Sequence, residues 1–320
     1  MQDPSRSYVG ARRELALELV HATEAAALAS ARLLGRGDED RVHEVAGEAM
    51  RRVLEESALS GMVVLGSRNE AILPPGTSLP GADPPLDFGL FPVEGAGQVA
   101  RGYANAVSIV AAVDRGGFAQ LPAVWYAEKI VAGPAARGAV DLDDSIADNL
   151  RRIAFANDVR VQDLTVAVLD RPRHQDLIAE VAAAGARIMT LEEGDIAGVV
   201  MAAMPGTGID AAIGIGGLHA TVVAACAVRC LGGAMQARLW PRNDEERALL
   251  GESASRSYGV ADLVPAADVA VAITGITGGQ LLPGVVFGSG YAESSSLLMS
   301  SRQATIRRLT TRHHTVGESS

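Results

Sequence analysis

The sequence predicts a layered α/β fold: a mixed sheet in the N-terminal half, then a parallel α/β half. Three observations lead there. The chain of 320 residues is 48% hydrophobic but only 4% aromatic, so its core is built from Ala, Val, Leu, Ile and Gly, which suit tightly packed layers. Beyond Asp141, helical and extended patterns alternate with short connections, as crossover units of a parallel sheet do. Before it, three short apolar runs at 86–91, 105–113 and 128–132 follow one another without helices of crossover length. The expected halves are 1–142 and 143–320.

The elements follow in order. Leu15, Leu19, Ala22 and Ala26 recur at helical spacing and predict a helix over 12–34, ended by Gly35 and Gly37. A second helix is expected over 40–58 and a short strand over 62–65, followed by a Pro- and Gly-rich loop from Ser67 to Pro85. The three runs named above are strands of the mixed sheet. The helix Ser145–Asn157 then leads to strand 164–169, helix 174–184, strand 186–191, helix 195–203, strand 210–215 and helix 219–231. A helix over 243–256 precedes C-terminal strands at 267–273, 284–288, 294–299 and 304–309. The first ten residues and the tail from Thr311 are expected to be mobile.

A formal charge of −10 argues against a nucleic-acid partner, which needs a basic surface. The apolar region 195–235 is broken by Pro205, Asp210 and Arg229, so no membrane span is expected. No basic segment leads into an apolar one at the N-terminus, so a cytoplasmic protein without a signal peptide is expected. Cys226 and Cys230 lie four apart on one helix face, a spacing poorly suited to a bridge, and are expected as reduced thiols.

In open α/β sheets, ligands sit at the carboxyl ends of strands. Those ends carry Asp170-Arg171-Pro172-Arg173-His174, Glu193-Gly194-Asp195, and Gly214-Ile215-Gly216-Gly217-Leu218-His219. Arginine forks suit phosphate oxygens, carboxylates suit sugar hydroxyls, and a glycine turn opening a helix suits an anion. Three such loops in succession point to a phosphosugar site. A plainer alternative is that Arg171 and Arg173 only form ion pairs with Glu193 and Asp195.

These loops, with L-G-R-G-D at 34–38, Y-A-E-K-I-V-A-G-P at 126–134, V-A-I-T-G-I-T-G-G at 271–279, P-R-N-D-E-E at 241–246 and T-I-R-R-L at 305–309, resemble the class II fructose-1,6-bisphosphatases over nearly the whole chain. The resemblance implies the layered sugar-phosphatase fold shared with the inositol-monophosphatase-like, lithium-sensitive phosphatases. It also implies hydrolysis of the 1-phosphate of fructose 1,6-bisphosphate with Mg²⁺ or Mn²⁺. By the same resemblance, Tyr126, Arg171, Arg173, Glu193 and Asp195, with Gly216 and Gly217, hold the sugar and its distal phosphate.

The metal half departs from the family pattern. Hard divalent ions need clustered oxygen ligands. His43 stands at the first ligand position, Ser67 at the second, Phe91 at the third and Ala220 at the fourth, and Ala96 replaces the motif threonine. Asp87, Glu94 and Glu70 are the carboxylates that remain, Asp87 and Glu94 being read as lying together near the strand's mouth. The expectation is therefore a phosphosugar-binding protein without metal or other cofactor that has lost the usual hydrolysis. Two alternatives stay open. His43, His219 and Glu94 could carry metal-independent acid–base chemistry. Alternatively, an active sugar bisphosphate phosphatase could keep Mg²⁺ or Mn²⁺ on a rearranged site. A purely structural protein is a further possibility, and Trp125 beside Tyr126 is either an aromatic wall or core. The expected partners are a phosphosugar-like ligand and either a second copy or an active relative, in a homo- or hetero-oligomer.

Overall fold

A computed structural model of the chain describes residues 4–67, 71–82 and 84–314, with side chains from residue 16 onward. In chain order the elements are α1 (Pro4–Ala31), α2 (Glu39–Glu56), β1 (Ser60–Gly66), β2 (Ser78–Pro80), β3 (Leu86–Glu94), α3 (Ala96–Arg101), β4 (Val107–Asp114) and β5 (Tyr126–Ala132). They continue as α4 (Ile146–Ala156), β6 (Thr165–Leu169), α5 (Gln175–Ala183), β7 (Arg187–Leu191), α6 (Asp195–Ala203), β8 (Ala211–Gly217), α7 (Leu218–Leu231) and β9 (Ala234–Trp240). The last are α8 (Asp244–Leu250), β10 (Ser257–Gly259), α9 (Val260–Leu263), β11 (Val269–Gly275), β12 (Val286–Gly288), β13 (Tyr291–Ser300) and β14 (Thr305–His314). The chain forms two compact units, Met1–Arg115 with Asp268–Ser320, and Gly116–Ala267.

The first unit is built on an eight-stranded sheet ordered β12-β13-β11-β4-β3-β1-β2, with β14 paired to β13. β1 and β3 run parallel, and the remaining pairs are antiparallel. The alanine-rich stripe of α1 (Ala22, Ala26, Ala27) and Val42, Ala46 and Met50 of α2 share one core with Phe88 and Leu90 of β3. Small side chains on the helices let them lie close to the sheet, as the composition requires. The L-G-R-G-D motif is a connector with a structural job. Gly35 and Gly37 adopt positive φ, and their N–H groups donate to the carbonyls of Val99 and Ala100 at the end of α3. Asp38 then caps α2, accepting the Arg41 N–H at 2.9 Å.

The second unit holds a six-stranded sheet ordered β10-β9-β5-β8-β6-β7. β6 is parallel to β7 and β8, the crossover arrangement read from the sequence. β5, however, enters this sheet antiparallel between β8 and β9 instead of joining the first one. Ile130 packs with Leu150 and Ile153 of α4 and Val181 of α5. Because side chains alternate across a strand, Lys129 points to the opposite face, where α6 and α7 lie.

Several elements differ from expectation. β2, α3, β9, β10 and α9 have no counterpart in the sequence reading. β2 is three residues inside a Pro-rich loop, and β9 reads A-M-Q-A-R-L-W, poor in strand formers at its start. The tail is ordered as far as His314, because ten register pairs with β13 hold all of β14. Pro4 to Gly10 belong to α1, and residues 1–3 and 315–320 lie outside the described residues. The C-terminal strands return to the first unit because β11 pairs with β4 over seven positions. Among the described residues no helix is long and apolar enough to cross a membrane. Cys226 and Cys230 are not bridged, and burial pushes the Cys226 thiol well above its ordinary range.

Candidate functional site

The first unit carries the metal-half positions. Phe91 sits within β3 opposite Ile109 of β4 and is 7% exposed. Ala96 opens α3 and is buried, and Gly95 before it has φ 90°, where a Cβ would stand 2.2 Å from the Gln98 Oε1. His43 lies one turn into α2, which packs against β3 and α3. Its Nδ1 is buried with no hydrogen-bond partner among the described residues. Ser67 follows β1, and Glu70 lies outside the described residues.

One expectation about this strand is corrected. Asp87 pairs with Val113 and Met62 at the start of β3, whereas Glu94 pairs with Val107 at its end. Seven residues of extended chain separate them by roughly 20 Å, so they cannot share an ion or a proton. Among the described residues no three His, Cys, Asp or Glu side chains converge on a metal position.

The second unit carries the phosphosugar positions, together with His219 and Ala220. β8 ends at Gly217, opposite Tyr126 at the start of β5, and Tyr126 also faces Trp240 at the end of β9. The loops 170–174 and 192–194 leave β6 and β7 at the same edge. Tyr126, Arg171, Arg173, Glu193, Asp195, Gly216, Gly217, His219 and Ala220 therefore share one end of one sheet.

Arg173 does not pair with Asp195. Its Nη2 donates to the Ile215 carbonyl at 3.0 Å, and its guanidinium lies 5.1 Å from the Tyr126 ring centroid. Arg171 turns back to its neighbour, the Asp170 carbonyl. Asp195, first residue of α6, accepts from Lys129 Nζ at 2.7 Å, and the Lys129 side chain is 3% exposed. A Cβ at Gly216 would stand 1.8 Å from Asp195 Oδ2 and 2.6 Å from Lys129 Nζ, so the glycine makes room for this ion pair. Arg173 and Tyr126 thus work on the α4–α5 face, and Asp195 on the α6–α7 face.

The sequence reading missed four contributors here. Lys129 is one; the Y-A-E-K alternation around it was the available signal. Trp240 meets Tyr126 edge-to-face at 6.2 Å. Arg242 grips Glu246 through Nε and Nη2 at 2.8 and 2.6 Å and lies 4.6 Å from the Trp125 ring centroid, so the half-exposed Trp125 forms a wall and not core. The fourth is His174. Its Nδ1–H donates to the Leu169 carbonyl at 2.7 Å, while Nε2 accepts the Ile215 N–H at 2.8 Å. Both bonds need the neutral ring, and they tie the arginine loop to β8.

Burial, with the nearby Arg173 and Lys129 charges, pushes the His174 pKa below its ordinary 6.5. The unfolded chain therefore binds a proton first as pH falls, and stability is lost from about pH 6.5 downward. The expected loss is at most about 1.4 kcal/mol per pH unit. Urea titrations at pH 7.5 and 5.5 check it: His174→Gln should lose less stability than the parent over this interval. An identical pH dependence in both proteins would refute the assignment.

Beside Arg173, a cavity of about 200 Å³ is lined by Glu128, Asp144 and Glu180 among others. Burial, aided by Asp143, pushes the Glu128 carboxyl above its ordinary range, with Arg238 opposing. These carboxylates suit hydroxyl groups and disfavour phosphate, which leaves the solvent side of Arg173 for an anion.

Comparison with known proteins identifies the family. The model for bacterial fructose-1,6-bisphosphatase, glpX-encoded, matches residues 13–313. The chain is 36% identical over 323 aligned positions to fructose-1,6-bisphosphatase 1 class 2 of Escherichia coli strain K12, covering 95% of this chain and 96% of the relative. The class 2 fructose-1,6-bisphosphatases of Escherichia coli O6:H1 and Shigella flexneri match to the same extent. The match overturns the expectation that no metal is involved, because the family's chemistry is the metal-dependent one its resemblance implies. A family model spanning nearly the whole chain and these relatives place the protein in the class II fructose-1,6-bisphosphatase family.

Proposed function

We propose that the chain binds a phosphorylated sugar at the edge of the second unit's sheet where β8 ends and β5 begins. The observation that carries this reading is the Arg173 guanidinium, exposed to solvent yet held between the Ile215 carbonyl and the Tyr126 ring. A pre-positioned guanidinium binds phosphate oxygens without first being ordered. Gly217 opposite Tyr126 keeps the backbone open beside it. The relatives' name makes fructose 1,6-bisphosphate the first ligand to test.

For the reaction, membership favours hydrolysis of a sugar phosphate monoester on a rearranged metal site. A second reading, binding without turnover, is favoured by Phe91, whose buried ring fills a position where the family pattern has a carboxylate. One experiment separates them: calorimetric titration of the full chain with fructose 1,6-bisphosphate, alongside a phosphate-release assay with Mn²⁺ and with Mg²⁺. Release well above the uncatalysed rate supports hydrolysis. Binding without release supports the second reading, and absence of both sinks the phosphosugar proposal.

A further inference from the structure

We propose a second anion site in the second unit, at the end of the sheet opposite Tyr126 and Gly217. A cavity of about 480 Å³ lies where α7 ends and β9 begins, lined by Arg137, Arg229, Gly138, Gly232, Gly259 and Met235 among others. That volume is in the usual range for small-molecule sites.

Both arginines are held in place. Arg137 donates through Nε and Nη2 to the Gly232 carbonyl at 3.2 and 2.6 Å, and Arg229 Nη1 donates to the Val264 carbonyl at 2.6 Å. Neither is matched to a carboxylate by these bonds, and no Asp or Glu lines the cavity. This is unusual for a chain of net charge −10, and it contrasts with the acid-lined cavity beside Arg173. The glycines leave backbone open to a close-fitting ligand, and a Cβ at Gly232 would stand 2.7 Å from Arg137 Nη2, so a larger residue there would displace that guanidinium. Two fixed guanidiniums with no carboxylate in the lining select a compact anion with several oxygens, an organic phosphate or a polyphosphate.

The site is separate from the one proposed above. β5 runs from Tyr126 at one edge to Ala132 at the other, opposite Ala234 of β9 beside the cavity, roughly 20 Å along the strand. The test is calorimetric titration of the full chain with inorganic pyrophosphate. In an Arg173→Met background, which removes the ring-held guanidinium of the other site, pyrophosphate should still bind. Arg137→Met and Ala261→Glu, added singly to that background, should each weaken binding at least tenfold. Ala261→Glu places a negative charge on the lining while keeping both arginines' bonds to the backbone, and circular dichroism checks that each variant is folded. Pyrophosphate affinity unchanged in both folded variants, or lost entirely in Arg173→Met alone, would overturn the proposal.

Discussion

Replacing Lys129 by Met should destabilise the second unit by about 3–5 kcal/mol, the range for removing one partner of a buried ion pair. The reason lies in what is left behind. Lys129 Nζ is the cation 2.7 Å from Asp195, and its side chain is buried against α6. Without it, a carboxylate only 17% exposed keeps its charge with no counter-ion in that bond, next to the backbone of Gly216. The double variant Lys129→Met/Asp195→Asn should recover a good part of the loss, because the stranded charge goes with the partner. A double-mutant cycle by urea denaturation at neutral pH measures this coupling. A single-variant loss below about 1 kcal/mol would show that the pair is no more than a surface contact.

Much of the fold could be read from the sequence because its elements are locally consistent. α2 carries Asp38 as its cap, α4 carries Ser145 accepting from the Asp148 N–H, and both helices show one apolar stripe. The β6–α5–β7–α6–β8–α7 run appears with boundaries shifted by a residue or two for the same reason. What escaped was pairing. Nothing local in Y-A-E-K-I-V-A says that β5 will lie antiparallel between β8 and β9, since register is set by partners far away in sequence. The return of β11 to β4 is equally non-local.

The site divides in the same way. Residue types at strand ends were legible, so the arginine, acidic and glycine loops were placed at one sheet edge. Their partners were not. The ion pair that occupies Asp195 spans 66 residues, and the His174 bond to Ile215 spans 41. Asp87 and Glu94 looked adjacent because seven residues is a short stretch of sequence, but in a strand it is a long distance. Substitutions at Phe91 and Ala220 were plain in the sequence. Whether they abolish turnover depends on how donors converge, which residue identity alone does not fix.

Arg173→Met should weaken binding of fructose 1,6-bisphosphate by roughly 10- to 100-fold, in line with about 1.5–3 kcal/mol for a hydrogen bond to a charged group. Stability should change little, because the side chain is exposed and its one bond to protein is to the Ile215 carbonyl. Arg171→Met should cost less, since Arg171 is turned toward the Asp170 carbonyl, whereas Arg173 is held over the Tyr126 ring. Tyr126→Leu should fall between the two: the guanidinium remains, but the ring that orients it is gone. Calorimetric affinities at two salt concentrations check the set, because a phosphate contact weakens as salt screens it. If Arg173→Met binds as tightly as the parent while Arg171→Met does not, the anion sits on the other side of the 170–174 loop and Tyr126 is no part of its site.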